Sequence, residues 1–359
     1  MLARLRLFEF RCHARIEWEP APGRNDLVGA NGRGKTSILE AVYYLSRLRS
    51  FRTGQPRELA RWPGHGFALE AVDRHDGKEE RLALKWEDGA REWSVDGDKT
   101  VPLSQFWGRL PAVLFSSEDG ILVRGPAAKR QAWLDSLRSA AAPAHLVAVQ
   151  RYNAVLKQRN AWLRHGALGS ADAALGEVLT AQLLAQGAVV TGGRLLAAEA
   201  AARHALPFLE NFFGGAAVCR FAYRPSLKPG AEAEIDWPRL APLERRQQRT
   251  LVGPHRDEWE LAWNGKAVAR YGSEGEQRLA ALLLRLIEAA HLREARGRWP
   301  VFLIDDALTP LDPARKLTLE ALLPPEAQII QAGTVAPACS GPGSAVWSVA
   351  SGEIRPVES

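Results

Sequence analysis

Residues 29–36 read Gly29-Ala30-Asn31-Gly32-Arg33-Gly34-Lys35-Thr36, which fits the phosphate-loop pattern of a glycine, any four residues and then Gly-Lys-Thr. An apolar run that ends at Val28 predicts a strand before this loop, and residues 37–45 carry apolar side chains at helical spacing after it. Backbone amides in such a loop, together with the start of the helix, bind a triphosphate. We therefore expect all eight residues to bind a nucleotide, with Lys35 on the β- and γ-phosphates and the Thr36 hydroxyl on Mg²⁺.

A second predicted strand supplies the acidic residues that a phosphate loop requires. Four apolar residues, 301–304, are followed directly by Asp305 and Asp306. Ligands of open α/β sheets bind at the carboxyl ends of the strands, where these two carboxylates would lie. We expect Asp305 to hold Mg²⁺ with Thr36, and Asp306 to orient the attacking water. Lys35, Asp305 and Asp306 are thus the predicted catalytic residues.

Residues 271–278, Tyr-Gly-Ser-Glu-Gly-Glu-Gln-Arg, open a predicted long helix over 275–293. A serine and glycines at a helix start offer amides and a hydroxyl to an anion. Because one chain hardly needs two triphosphate cradles, we expect Ser273 and Gly275 to contact the γ-phosphate bound to a second copy. ATP would then join two chains as a homodimer. A capping box between Ser273 and Glu276 is the alternative interpretation, and the two are compatible.

The positive charge of the chain is concentrated. The net charge is +6, yet residues 124–164 alone hold eight basic side chains against one acidic residue, Asp135. Such a local excess favours a polyanion partner, because neutralising phosphates releases counterions. A solvated basic face is the alternative. The predicted contacts to the DNA backbone are Arg52, Arg130, Arg151, Lys157 and Arg159.

Composition narrows the class of protein. No uninterrupted apolar run reaches the ~18 residues that span a bilayer, and the N-terminus lacks the apolar segment of a secretion signal. The three cysteines are odd in number and far apart, so they indicate neither a disulfide framework nor a zinc site. We expect a cytoplasmic protein without membrane contact. Its twelve scattered tryptophans are expected to pack in the core rather than stack on bases.

The pattern of elements predicts a split domain. Residues 67–101 alternate in polarity around Asp76-Gly77, Asp88-Gly89 and Asp96-Gly97, which are hairpin signals. After residue 125 Ala- and Leu-rich helical patterns dominate, interrupted by Pro143 and Gly192-Gly193. Strand patterns return near residue 251. We expect residues 1–124 to form the N-terminal half of an ATPase head, 125–248 an inserted helical lobe, and 249–359 the C-terminal half.

These motifs occur with further matches that together are highly specific. The matching runs include Leu7-Phe8-Glu9-Phe10-Arg11, Phe115-Ser116-Ser117-Glu118-Asp119, Gln158-Arg159-Asn160 and Gly253-Pro254-His255-Arg256-Asp257. On these residues the chain resembles the RecF family of recombination mediators, which is related to the SMC and ABC-type ATPases. The resemblance implies an α/β fold: a P-loop ABC-type ATPase head, a mixed sheet with an antiparallel subsheet, carrying a mainly helical lobe.

The resemblance also implies a function. Proteins of this family bind gapped or duplex DNA in the ATP state, without reading sequence, and help mediators of the RecR and RecO type to load recombinase. Hydrolysis of ATP is slow and releases the clamp. Gln131, Glu258 and Pro310 depart from the family pattern. The roles of His255 and Arg256, in an ion pair or at the nucleotide, are left open.

Three other functions are compatible with a phosphate loop. A small-molecule kinase would form ADP only with its substrate and would leave residues 273–278 unexplained. An ATP-binding subunit of a transporter would need a membrane partner, which the basic segment 124–164 disfavours. A non-hydrolysing, nucleotide-gated scaffold would show no turnover with or without DNA.

Overall fold

The computed structural model describes residues 1–166, 172–213, 219–305, 320–334, 343–350 and 352–357. The chain forms two compact units. The first combines Met1–Asp119 with Glu288–Ser359, and the second is Gly120–Ile287. The first unit, the predicted ATPase head, is therefore built from both ends of the chain, and the second from the long central segment.

An antiparallel sheet of five strands forms one layer of the first unit. Its strands are β1 (Leu2–Phe10), β2 (His13–Trp18), β4 (Gly66–His75), β5 (Lys78–Glu87) and β6 (Ala90–Val95), in the order β2-β1-β4-β5-β6. The hairpins turn at Asp76-Gly77 and Asp88-Gly89, where all four residues have positive φ. Positive φ at both central residues is typical of tight two-residue turns, which confirms the predicted hairpins.

A six-stranded sheet forms the second layer and carries the predicted phosphate loop. Its strands are β3 (Arg24–Val28), β7 (Ala112–Ser116), β11 (Val301–Asp305), β12 (Ile329–Gly333), β13 (Ala345–Ala350) and β14 (Glu353–Pro356), in the order β14-β13-β3-β12-β11-β7. All neighbours are parallel except β13 and β14. Strands β3 and β11 both pair in parallel with β12, so their carboxyl ends lie at the same end of the sheet. Helix α1 (Lys35–Arg47) follows β3 and is almost wholly buried, as its apolar spacing predicts.

The second unit is mainly helical. Its helices are α3 (Ile121–Arg124), α4 (Ala127–Ala141), α5 (Ala144–Gly166), α6 (Ala173–Phe213), α7 (Trp237–Gln247) and α8 (Val268–Tyr271), and it contains a small sheet of β8 (Cys219–Arg224), β9 (Glu258–Trp263) and β10 (Lys266–Ala267). Helix α9 (Glu274–Arg296) begins in this unit, and the short α2 (Leu103–Phe106) belongs to the first. The mixed α/β head with a helical lobe is thus the observed fold class.

The boundaries of the lobe differ from those predicted. We expected the lobe to end at residue 248, but the second unit extends to Ile287. The reason is strand pairing: β8, from the predicted lobe, pairs along its length with β9, from the predicted head. Trp133, Phe221 and Trp259 pack together, so this sheet shares a core with α4.

Helix α6 is continuous through Gly192-Gly193, where the sequence predicts an interruption. A Cβ atom at Gly193 would collide with the imidazole of His145 on α5. At Gly176 a Cβ atom would likewise collide with the indole of Trp162. These glycines permit close packing of two helices rather than ending one.

One helix of the described chain, Ala173–Leu209, is long and apolar enough to cross a membrane by length and composition, with a hydropathy of 1.4. The sequence offers no uninterrupted run because Arg194 lies within this segment. Arg194 is buried and pairs with Asp135 of α4 through two bonds of 2.8 Å. The core helix of a soluble protein can have the same length and composition, so a single helix of this kind is weak evidence for a membrane span.

Candidate nucleotide-binding site

The phosphate loop joins β3 to α1, and its glycines are required by geometry. Gly29, Gly32 and Gly34 all have positive φ, at 150°, 76° and 93°. A Cβ atom at Gly29 would lie 2.5 Å from the carbonyl oxygen of Val349, and one at Gly34 would collide with His13. Only glycine allows the backbone to curl so tightly against its neighbours. The loop amides can therefore face an anion, as the sequence motif predicts.

Lys35 and Thr36, the predicted phosphate and metal contacts, both have hydrogen-bond partners beside the loop. The ammonium of Lys35 donates hydrogen bonds to the carbonyl oxygens of Gly29 (2.6 Å) and Ala30 (2.9 Å), so it folds back over the loop. The Thr36 hydroxyl donates to Asp305 Oδ1 across 2.8 Å. The structure thus brings together two residues that lie far apart in sequence, at the shared edge of β3 and β11.

The phosphate loop lines a cavity of about 510 Å³. Its lining comprises Arg11, Cys12, residues 31–37, Arg52, Glu58, Ala60 and Trp62, all in the first unit. Arg52, predicted as a DNA contact, therefore lies on the wall of this cavity, with its guanidinium 3.6 Å from Glu40. That position makes Arg52 a candidate for phosphate contact as well.

Glu40 fixes Arg11, one of the residues that line this cavity, and the sequence alone did not single it out. Its carboxylate is fully buried in α1 and accepts two hydrogen bonds from Arg11, at 2.8 and 2.7 Å. Ser50 donates to the same carboxylate. Such a bidentate pair fixes the planar guanidinium. The sequence signal that could have found it is a single acidic residue within a mainly apolar stretch of α1. Its partner, Arg11, directly follows β1.

Cys12 and His13 lie directly against the loop. The imidazole of His13 is fully buried, and its Nε2 lies 3.1 Å from the Gly34 carbonyl oxygen. Hydrogen bonding with His13 lowers the pKa of the exposed Cys12 thiol. A Cβ atom at Gly34 would lie only 2.6 Å from Cys12 Sγ. The junction between β1 and β2 therefore packs directly against the phosphate loop at Gly34.

Ser273 lies at the exposed start of α9. Its hydroxyl donates to Glu276 Oε2 (2.8 Å), and its own amide donates to the same oxygen (2.6 Å). The Glu276 amide in turn donates to Ser273 Oγ across 3.3 Å. This reciprocal arrangement is the capping box that the sequence suggests as an alternative. Ser273 and Glu276 are exposed, so the cap leaves this helix start accessible to a second chain.

Arg159 corrects the prediction of a DNA contact. It is 3% exposed and pairs with the buried Glu244 across 2.7 Å. It also donates to the hydroxyls of Thr180 and Thr250, each at 3.0 Å. A guanidinium held by these three partner atoms inside the second unit cannot reach a DNA backbone. Its role is to tie α5 to α6 and α7.

The other predicted DNA contacts differ in accessibility. Arg130 donates to Glu258 (2.8 Å) and to the Gly125 carbonyl oxygen (2.5 Å), and its side chain is only 16% exposed. Arg151 and Lys157 are both exposed on α5, as is Arg164. Lys157 and Arg164 are seven residues apart and therefore share one helix face. Arg151, Lys157 and Arg164 thus give α5 a cluster of exposed positive charge.

His255 belongs to a buried polar network of the second unit. Its Nε2 lies 3.0 Å from the Thr250 carbonyl oxygen and must donate to it, so Nδ1 accepts from the Tyr152 hydroxyl at 2.6 Å. Burial lowers the pKa of His255, which favours this neutral form. Both of these ring partners lie in the second unit. His255 therefore has a structural role rather than a place at the nucleotide, but as a neutral, hydrogen-bonded imidazole and not as part of an ion pair.

Two departures from the family pattern have structural partners. Gln131 is buried and donates to the Asp257 carbonyl oxygen across 2.7 Å, and Glu258 accepts from Arg130. Asp306, predicted as catalytic, and Pro310 lie outside the described residues. Their assignments stay predictions from the sequence.

No family model matches the chain, but individual proteins and structures do. The DNA replication and repair protein RecF of Anaeromyxobacter sp. (strain Fw109-5) is 34% identical over 372 residues, covering 99% of each sequence. A solved structure described as the recombination mediator protein RecF-ATP in the RecFOR pathway matches with a TM-score of 0.90 at 26% identity. That match covers 99% of this chain and 97% of the other.

A more distant match concerns the fold alone. The SMC head domain from Pyrococcus furiosus matches with a TM-score of 0.52 at 15% identity, over 99% of this chain and 95% of that one. The head architecture is thus shared with SMC-type ATPases. The identity and full-length coverage of the relatives, together with the phosphate loop, Asp305 and Ser273, place this chain in the RecF family of DNA replication and repair proteins.

Proposed function

We propose that this protein is an ATP-dependent DNA-binding protein of replication and recombinational repair. It would bind DNA at single-strand gaps as an ATP-induced homodimer in the cytoplasm, without reading sequence, and help RecR- and RecO-type mediators to load recombinase. Slow, weakly DNA-dependent ATP hydrolysis would reset it. The observation that carries this proposal is the contact of Thr36 with Asp305 beside the folded-back Lys35.

The residues at this edge fit ATP with Mg²⁺. The Thr36 hydroxyl and the Asp305 carboxylate are hard oxygen ligands, 2.8 Å apart, of the kind that Mg²⁺ prefers. When bound, Mg²⁺ would neutralise charge on the phosphate oxygens. Lys35, released from two carbonyl oxygens, would bind the β- and γ-phosphates. Asp306 would orient the attacking water.

The exposed start of α9 supports a composite site. Ser273 and Gly275 would approach the γ-phosphate held by the phosphate loop of a second copy. The capping box orients the Ser273 hydroxyl, and the positive end of the helix dipole would favour an anion beside it. A small-molecule kinase offers no use for this feature, whereas an ATP-closed dimer does.

DNA would be held by charge on the lobe. We expect Lys157→Glu with Arg164→Glu to weaken binding to gapped DNA in the presence of ATP, because each reversal removes a phosphate contact. The slope of log affinity against log salt should flatten by about 0.9 for each lost contact. Fluorescence anisotropy over a salt series measures both quantities.

A charge-matched control separates local contact from net charge. Lys78→Glu with Lys99→Glu makes the same change on exposed hairpins of the first unit. This control is expected to keep most of the affinity and the full salt slope. Equal losses in both double variants, or none in the α5 variant, would contradict DNA binding by α5.

A further inference from the structure

Trp62 is a side chain of the first unit that triphosphate binding leaves unexplained. It is 87% exposed, the highest value among the exposed large hydrophobic residues of the described chain, although tryptophans are expected in the core. One exposed apolar residue is ordinary in itself. Trp62, however, also lines the cavity that contains residues 31–37 of the phosphate loop. An accessible indole therefore shares a cavity with the triphosphate cradle.

Backbone hydrogen bonds fix the segment that carries Trp62. The Arg61 amide donates to the Glu9 carbonyl oxygen, and the Arg11 amide to that of Leu59, both across 2.7 Å. Phe10 and Ala60 form a bridge between the same two segments. The end of β1 leads directly into the turn whose His13 packs on the phosphate loop. Trp62 and the loop are thus supported by one hairpin.

The lining of this cavity divides by chemistry. Lys35, Thr36 and the loop amides suit phosphate, and Trp62 is the aromatic residue among the described lining residues. A nucleoside triphosphate has the matching division, an anionic tail and an aromatic base. We propose that Trp62 stacks on the nucleobase of the nucleotide held by the phosphate loop. This inference rests on the proposed function and adds the part of the site that reads the base.

Stacking has a distinctive energetic signature. Every base has a π face, so an indole platform favours nucleotides over inorganic phosphates without choosing strongly among bases. The contact adds affinity through the base alone. Loss of Trp62 should therefore weaken ATP and GTP binding together and leave tripolyphosphate binding unchanged.

The test compares three variants by calorimetric titration with ATP, GTP and inorganic tripolyphosphate. Trp62→Ala is expected to raise the Kd for ATP by about 5- to 140-fold, from the ~1–3 kcal/mol of base stacking. Trp62→Phe keeps an aromatic face and should recover most of the affinity. Leu175→Ala, at an exposed apolar position of α6, is the matched control and should bind like the unaltered chain.

The outcomes distinguish this inference from the site itself. An unchanged Kd for ATP in Trp62→Ala, while Lys35→Met loses binding, would overturn stacking and leave the phosphate loop intact. Equal weakening of ATP and tripolyphosphate would overturn it too, since a merely structural role would have that effect. If Lys35→Met also binds ATP normally, the proposed nucleotide site fails as well.

Discussion

Replacing Lys35 with methionine is expected to raise the Kd for ATP by about 100-fold or more. The ammonium would make charge-assisted hydrogen bonds to two phosphates, each contributing about 1.5–3 kcal/mol. Methionine keeps the aliphatic stem and removes only the charge and its hydrogen bonds. Calorimetric titration of ATP with Mg²⁺ into the purified variant measures the change directly.

The same ammonium donates to two loop carbonyl oxygens, so the variant needs a control for loop structure. Lys99→Met removes an exposed lysine from the same unit and should leave ATP affinity unchanged. Thermal unfolding of both variants without nucleotide reports on the head itself. ATP binding at the affinity of the unaltered chain in Lys35→Met would refute the assignment of residues 29–36.

Replacing Arg159 with methionine is expected to destabilise the lobe by about 3–5 kcal/mol, because the buried Glu244 carboxylate would lose its counter-charge. The pair spans α5 and α7, and both side chains are almost fully buried, at 4% and 1% exposure. Urea denaturation followed by circular dichroism measures the loss of stability. DNA affinity, measured well below the unfolding transition, should remain near that of the unaltered chain.

A second variant tests the physical reason for this loss. Arg159→Met combined with Glu244→Met removes both charges, and an apolar pair of similar size can replace a buried ion pair at little cost. The double variant should therefore be more stable than Arg159→Met alone. A single variant as stable as the unaltered chain, but weakened in DNA binding, would restore Arg159 as a DNA contact.

The sequence alone predicts the parts of this molecule that depend on local patterns. Gly29, Gly32 and Gly34 mark the loop because only glycine tolerates its backbone conformation. Asp76-Gly77 fixes a tight hairpin for the same reason. The acidic end of β11 was recognisable because a short buried strand gives a continuous apolar run.

What the sequence could not reveal depends on distant partners. From the sequence, Arg159 looks like one of several exposed basic residues of a helix. Its burial depends on an ion pair with Glu244, 85 residues away in the sequence. Gly193 resembles a helix stop until His145 of the neighbouring helix packs against it. The observed boundary of the lobe differs from the predicted one because β8 and β9 pair across the predicted junction. In each case tertiary packing overrides a local preference.

Complementation between two defective chains tests the central claim of a shared ATP site most directly. Lys35→Met disables the phosphate loop and Ser273→Arg disables the helix start, so neither variant should hydrolyse ATP alone. In an equal mixture, the intact loop of one chain meets the intact Ser273 of the other. ATP hydrolysis by the mixture is expected well above the sum of the separate variants, and a mixture no more active than that sum would contradict a shared site.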